Sequence, residues 1–145
     1  MAERQPRTRK RAIARPLVLL ADDNGDTREM YSLYLDMAGY HVEVVADGQE
    51  AVAAAGRLRP DVIVMDLDMP KVDGWAAMKQ LHRDAATARI PIVVLTGHDL
   101  KAYLKPAALA AGAVSYVTKP CFPERLAHEI SVRLAARLDH ATGAP

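Results

Sequence analysis

Three carboxylates directly follow two apolar runs of this chain. Asp66 comes after the run Asp61–Met65, and Asp22 and Asp23 follow a second run at Leu17–Ala21. Carboxylate oxygens are the ligands that a hard cation such as Mg²⁺ prefers, and a carboxylate can also act as a nucleophile. If the two runs are neighbouring strands, these residue types indicate a cation site at which phosphoryl chemistry could take place.

A hydroxyl and an amine stand at equivalent places later in the chain. Thr96 follows the apolar run Ile92–Leu95, and Lys119 comes shortly after the run Val114–Val117. Taken singly, they are an ordinary strand-end threonine and a solvated lysine. Beside an acid cluster, the ammonium group can neutralise phosphoryl charge and the hydroxyl can donate a hydrogen bond to a phosphoryl oxygen. The four strand ends together predict one phosphoryl site.

A parallel sheet is needed to bring these ends together. Five strand-like runs alternate with five helical segments, which predicts an α/β fold with a parallel sheet. In such sheets, ligands bind beyond the carboxyl ends of the strands. The predicted strands are Leu17–Ala21, His41–Val45, Asp61–Met65, Ile92–Leu95 and Val114–Val117.

The predicted helices begin and end at residues that favour helix caps. Within the first helix, four apolar residues recur at helical spacing and predict a buried stripe, namely Met30, Leu33, Tyr34 and Met37. Four of the predicted helices are Gly25–Ala38, Gly48–Leu58, Trp75–Arg83 and Glu124–Leu138.

Proline makes the remaining helix, the fourth in the chain, ambiguous. Pro106 cannot occupy an unkinked helix interior, but it suits the first turn of a helix. Either this helix starts near Lys105, or it starts near Asp99 and kinks. We prefer the start near Lys105.

Length and composition indicate one ordinary domain. The chain has 145 residues, of which 50% are hydrophobic and 26% are charged. No apolar run approaches the roughly 20 residues that cross a bilayer, so no membrane contact is expected. A single cysteine, Cys121, excludes an internal disulfide framework and is consistent with a reducing cytoplasm.

Charge is distributed unevenly along the chain. The net charge is +1, but residues 1–16 carry +5, which leaves −4 for residues 17–145. We expect residues 1–15 to form a basic disordered tail. Contact with nucleic acid, a membrane or a partner through phosphate charge is the alternative, although no aromatic residue is interleaved to stack on bases.

These motifs together resemble the receiver domain of two-component response regulators, in particular the stand-alone, chemotaxis-regulator-like kind. The resemblance covers residues 16–138 and leaves a short tail at 139–145. It implies a doubly wound, five-stranded parallel sheet of order 2-1-3-4-5 with five helices, the flavodoxin-like receiver fold. The residues that carry it are Asp22-Asp23, Asp66, Met69-Pro70, Asp73-Gly74, Thr96, Tyr116 and Lys119-Pro120.

The resemblance implies an aspartyl-phosphate site. Asp66 is expected to be the phosphorylation site, with Lys119 and Thr96 as its catalytic partners. Thr96 and Tyr116 are expected to act as the switch that changes the face formed by helix 4, strand 5 and helix 5. The cofactor implied is Mg²⁺, with Mn²⁺ as an alternative, and the implied metal ligands are Asp22, Asp23, Asp66 and the backbone carbonyl of Asp68.

The expected partners follow from the same resemblance. A sensor histidine kinase or phosphotransfer protein would donate the phosphoryl group, and a downstream protein would read the result. The residues after helix 5 are too few for a DNA-binding domain, and pairing of two copies is left open. Other readings are a phosphohydrolase using Asp66 and Asp68, or a degenerate receiver that serves only as an interaction module. In the leading interpretation the protein catalyses only its own phosphorylation and dephosphorylation.

Overall fold

Strands and helices alternate along the chain in the computed structural model, which describes residues 15–97 and 104–143, with side chains described up to residue 137. The five strands are β1 (Leu17–Ala21), β2 (His41–Val45), β3 (Val62–Met65), β4 (Ile92–Thr96) and β5 (Ser115–Thr118). The five helices are α1 (Gly25–Met37), α2 (Gly48–Leu58), α3 (Gly74–Arg83), α4 (Leu104–Ala110) and α5 (Pro123–Gly143).

All five strands are parallel and lie in the order β2-β1-β3-β4-β5, as predicted. The chain leaves β1 toward one edge of the sheet to form β2, and it crosses back to form β3 on the other side of β1. This reversal leaves a crevice beyond the carboxyl ends of β1 and β3. Because Ala21 is paired with Met65, Asp22 and Asp66 emerge side by side at that crevice.

The core consists of two layers, one on each face of the sheet. Strands β1, β3 and β4 are almost completely buried, since helices cover both of their faces. One layer of side chains packs under α2, α3 and α4, and the other packs under α1 and α5. This double burial explains why the central strands are continuous apolar runs.

Helix α1 turns a different face to the core from the one predicted. Met30, Leu33 and Met37 are 45%, 60% and 80% exposed and Tyr34 is half-buried, so the predicted buried stripe was wrong. The residues that α1 buries are Tyr31 and Leu35, one helical turn apart. Two neighbouring stripes of α1 could have faced the sheet, and the rotation of the helix selects the Tyr31–Leu35 stripe.

The ends of the other elements agree closely with the predicted ones, with one exception. Helix α5 continues to Gly143, beyond the predicted end at Leu138. The described part of helix α4 is Leu104–Ala110, which contains Pro106, and the choice between a start near Lys105 and one near Asp99 depends on residues outside the described ranges. The alternative start near Asp99 and the N-terminal tail up to residue 14 lie outside the described residues. Within residues 15–97 and 104–143, no helix combines the length and the apolar character that crossing a membrane requires.

The loop from β3 to α3 lies directly against two glycines. A Cβ atom on Gly48, at the start of α2, would be 1.8 Å from the carbonyl oxygen of Val72. A Cβ atom on Gly74, at the start of α3, would be 2.3 Å from the carbonyl oxygen of Asp66. No real side chain tolerates such distances, so both helix starts depend on glycine to let the backbone of this loop approach. The loop that carries Asp66 is therefore fixed by backbone packing.

Candidate functional site

Three predicted metal ligands come together at the crevice. Carboxylate oxygens of Asp22, Asp23 and Asp66 lie within 4.8 Å of one another. Asp22 and Asp66 are buried, whereas Asp23 is exposed at the mouth of the crevice. The backbone N–H of Asn24 donates to Asp22 Oδ1 at 2.9 Å, which fixes the orientation of that carboxylate. The donor set is all oxygen and strongly anionic, as a hard divalent cation requires.

Lys119 neutralises part of this charge. Its Nζ atom lies 2.6 Å from Asp22 Oδ2 and 3.4 Å from Asp66 Oδ2. The backbone amide of Lys119 donates to the Thr96 carbonyl at 2.9 Å, so the residue is attached to the end of β4. The residue after β5 thus places its ammonium group between two buried carboxylates, which follow β1 and β3.

Asp66 is held by contacts from three directions. The amide of Asp68 donates to Asp66 Oδ1 at 3.1 Å, and the buried side chain of Thr96 also forms a hydrogen bond with Asp66. Lys119 lies near the other carboxylate oxygen. The predicted catalytic residues Asp66, Thr96 and Lys119 therefore form one cluster. The side chain of Asp68 is exposed.

Burial raises the pKa of Asp66 above its ordinary value, and the negative charge of Asp22 adds to this effect. The hydrogen bonds from Asp68 and Thr96 and the charge of Lys119 act in the opposite direction but do not overcome it. For Lys119, burial lowers the pKa, yet the hydrogen bond to Asp22 and the charges of Asp66 and Asp22 outweigh burial, so its pKa is raised. Ionised Asp66 thus lowers the stability of the fold at neutral pH, and a bound cation would offset this effect.

Tyr116 lies outside the acid cluster, on the neighbouring surface. It pairs with Val94 across β4 and β5, two residues before the pair formed by Thr96 and Thr118. Its ring is half-buried against the core layer under α4. The side chain also lines a surface cleft together with Lys105, Phe122 and Arg125. Tyr116 thus lies on the face formed by α4, β5 and α5, and its role as a switch stays a prediction.

Two contacts beside the site were not predicted. Arg28 on α1 donates from a guanidinium nitrogen to the carbonyl oxygen of Asp22 at 2.8 Å. The hydroxyl of Tyr31 donates to the carbonyl oxygen of Cys121 at 2.6 Å, which links α1 to the loop that follows β5. Both acceptors are backbone carbonyls, which every residue carries. Arg28 and Tyr31 therefore give no recognisable spacing in the sequence.

Fold and site together define a class: a doubly wound α/β domain with an acid cluster, a threonine and a lysine at the carboxyl ends of its strands. The family model described as response regulator receiver domain matches residues 18–131. The chain belongs to this family of two-component signalling proteins, whose receiver domains act as phosphoryl acceptors.

Curated relatives agree with this assignment. Protein PilH of Pseudomonas aeruginosa is 37% identical over 120 residues, which cover 81% of this chain and 97% of PilH. The DNA-binding dual master transcriptional regulator RpaA of Synechocystis is 40% identical over 105 residues, which cover 72% of this chain but 43% of RpaA. The chain thus spans about half the length of several relatives and nearly all of PilH.

Solved structures show the same fold. The receiver domain of sensor histidine kinase PA1611 from Pseudomonas aeruginosa, with a magnesium ion coordinated in its active site cleft, has a TM-score of 0.78 at 32% identity. That match covers 84% of this chain and 99% of that one. Chemotaxis protein CheY4 of Vibrio cholerae has a TM-score of 0.76 at 36% identity, with 82% and 98% covered.

Proposed function

We propose that this protein is a signalling switch that accepts a phosphoryl group on Asp66. The observation that carries the proposal is the convergence of three carboxylates within 4.8 Å of one another, with the Lys119 ammonium 3.4 Å from Asp66. Asp66 is the carboxylate of this cluster that Thr96, Lys119 and the amide of Asp68 all contact. It is therefore the best-positioned nucleophile of the site.

The donor set fits Mg²⁺. Asp22, Asp23 and Asp66 would hold the ion through carboxylate oxygens, and the backbone carbonyl of Asp68 would supply a further oxygen. When bound, Mg²⁺ would supply positive charge to the phosphoryl oxygens. The magnesium ion in the related receiver domain of PA1611 supports this assignment, and Mn²⁺ would suit the same oxygens.

The chain's own residues then carry out the transfer. An oxygen of the Asp66 carboxylate forms the new bond to phosphorus while the P–N bond of a donor phosphohistidine breaks, and its electron pair returns to the imidazole nitrogen. Lys119 places positive charge beside the transferred group, and the Thr96 hydroxyl donates to one of its oxygens. Such transfers depend mainly on positioning and charge neutralisation, which these residues provide.

The output of the switch is the face formed by α4, β5 and α5. Thr96 would engage the phosphoryl group on Asp66, and Tyr116 would change its orientation on the neighbouring strand. Phosphorylation would then shift the population of conformations that this face adopts. The surface cleft lined by Tyr116, Lys105 and Arg125 supports a partner-binding role for the face.

The proposed donor is a sensor histidine kinase or a phosphotransfer protein, and the proposed reader is a downstream protein target. The receiver domain would comprise residues 16–138, between a basic tail at 1–15 and a short tail at 139–145. A cytoplasmic location also stays a prediction. The match to PilH covers 97% of that protein, which supports a role in which the receiver domain itself is the switch.

A cation-dependent rise in melting temperature tests the proposed site. Mg²⁺ binds the folded state, and an ion concentration 100 times its dissociation constant stabilises a fold by about 2.7 kcal/mol. Asp66 has a pKa above the ordinary 3.8, so protons compete with the ion as pH falls from neutral through that raised pKa. We expect a clear rise at pH 7 that shrinks toward pH 4, measured by differential scanning calorimetry.

Two variants make this measurement specific. Asp66→Asn is expected to reduce the Mg²⁺-dependent rise strongly, because one charged ligand is lost. Asp84→Asn alters an exposed carboxylate at the end of α3 and is expected to keep the full rise. A wild-type melting temperature that does not respond to millimolar Mg²⁺, or equal responses of wild type and Asp66→Asn, would contradict the metal site.

A further inference from the structure

The backbone around Lys119 is attached to the fold at few points. On one side, the Lys119 amide donates to the Thr96 carbonyl, which ties the residue to β4. On the other side, the amides of Arg125 and Leu126 donate to the Phe122 carbonyl, where α5 begins. Between these two attachments, the Cys121 carbonyl accepts the 2.6 Å hydrogen bond from the Tyr31 hydroxyl. The Tyr31 bond therefore lies in the middle of the segment that leads away from Lys119.

Tyr31 is a rigid donor for this bond. The residue is 2% exposed and belongs to the core layer that contains Leu35, Leu126 and Ile130. A ring packed in this way holds its hydroxyl at one place relative to the sheet. Burial also raises the pKa of Tyr31, so the hydroxyl keeps its proton over the whole physiological range.

Besides accepting this hydrogen bond, Cys121 packs, partly buried, against the core layer that contains Tyr31 and Leu126. A cleft of about 540 Å³ runs between α1 and the loop, and Phe122 is 81% exposed at its edge. The cleft is lined by Thr27, Met30, Tyr31, Lys119, Pro120, Cys121, Phe122 and Pro123. Beside this open cleft, the Tyr31 hydrogen bond is a direct polar link between α1 and the loop.

We propose that Tyr31 is a positioning residue for Lys119. By holding the Cys121 carbonyl, its hydroxyl fixes the loop that follows Lys119 and keeps the ammonium group between Asp22 and Asp66. The inference rests on the proposed function, in which Lys119 contacts the phosphoryl group. Without the bond, the ammonium group spends less time beside Asp66, so a phosphoryl group is bound less tightly. The affinity for a divalent cation does not fall, because the cation competes with the ammonium group for the same carboxylates.

The test compares two affinities in Tyr31→Phe, which keeps the buried ring and removes the hydroxyl. Beryllofluoride, a phosphoryl analogue that binds an aspartate, is titrated at saturating Mg²⁺, and Mg²⁺ is titrated alone. Beryllofluoride affinity is expected to fall about fivefold, the size of one neutral hydrogen bond. Mg²⁺ affinity is expected to stay the same or to rise. A merely structural role of Tyr31 would weaken both affinities together.

Tyr40→Phe is the matched control. It removes the hydroxyl of a half-buried tyrosine between α1 and β2, away from Lys119, and is expected to leave both affinities at the wild-type level. Equal beryllofluoride affinity in wild type and Tyr31→Phe, or parallel loss of both affinities, would overturn the role of Tyr31 alone. A wild-type protein that binds no beryllofluoride would refute the proposed function, and the role of Tyr31 with it.

Discussion

Replacing Lys119 by methionine is expected to slow phosphorylation by acetyl phosphate at least about 100-fold, the effect typical of removing one preorganised donor from a developing anion. Methionine retains much of the length of lysine and lacks its charge. The ammonium group that now lies 2.6 Å from Asp22 and 3.4 Å from Asp66 would be gone. The transferred phosphoryl group would lose the positive charge that Lys119 supplies. Mg²⁺ affinity would rise, because the ammonium group no longer competes for the same carboxylates.

Lys71→Met provides the same chemical change outside the acid cluster. Lys71 lies in the β3–α3 loop with its side chain mostly exposed, and its Nζ atom is 3.5 Å from Asp47. Its rate is expected to stay within about twofold of wild type, because the Lys71 ammonium group is mostly exposed and pairs with Asp47 at the start of α2. Rates are compared by stopped-flow at fixed Mg²⁺. A Lys119→Met rate within threefold of wild type would show that the ammonium group does not act on the phosphoryl group.

Gly74→Ala is expected to destabilise the protein by about 3 kcal/mol, at the upper end of the range for overpacked sites. The added methyl group would lie 2.3 Å from the Asp66 carbonyl oxygen and 2.6 Å from the Leu67 Cα atom. Both atoms are backbone, so the loop itself would have to move. Because Asp66 stands in that loop, phosphorylation is expected to slow as well.

Gly56→Ala is the control for this substitution. Gly56 lies inside α2, and a Cβ atom there would meet no described atom within 4 Å apart from its own helix backbone and chain neighbours. Alanine is favoured over glycine in helix interiors by about 0.5–1 kcal/mol, so the control is expected to stabilise the fold. Urea unfolding measures both free energies. If Gly74→Ala proves as stable as wild type, the close backbone approach at the start of α3 is not a real constraint.

The fold was predictable because buried strands can be recognised in the sequence from their composition. β1, β3 and β4 are buried on both faces, so they appear as unbroken apolar runs, and their ends fall at Asp22, Asp66 and Thr96. The convergence of these side chains then follows from the topology of a parallel sheet. For the same reason the acid cluster could be predicted before any distance was known.

The rotation of α1 could not be predicted in the same way. The helix carries two neighbouring apolar stripes, one with Met30, Leu33, Tyr34 and Met37, and one with Tyr31 and Leu35. Periodicity favours the stripe with more members, whereas packing against the sheet and α5 buries the other one. The larger stripe is mostly exposed.

The supports of the site depend on contacts that leave no pattern in the sequence. Tyr31 and Cys121 are 90 residues apart, and the acceptor is a backbone carbonyl. Gly48 meets Val72 through backbone atoms of the β3–α3 loop. Such contacts arise only when the elements have packed, whereas the carboxylates and the lysine are visible as residue types at strand ends.

Phosphorylation of Asp66 is tested most directly by the intact mass of the protein after incubation with acetyl phosphate and Mg²⁺. Wild type and Asp84→Asn are expected to gain the mass of one phosphoryl group, and Asp66→Asn and an EDTA-treated sample are expected to gain nothing. The same gain in Asp66→Asn would contradict Asp66 as the acceptor. A wild-type protein that gains no mass and also fails to bind beryllofluoride would contradict the phosphoryl switch itself.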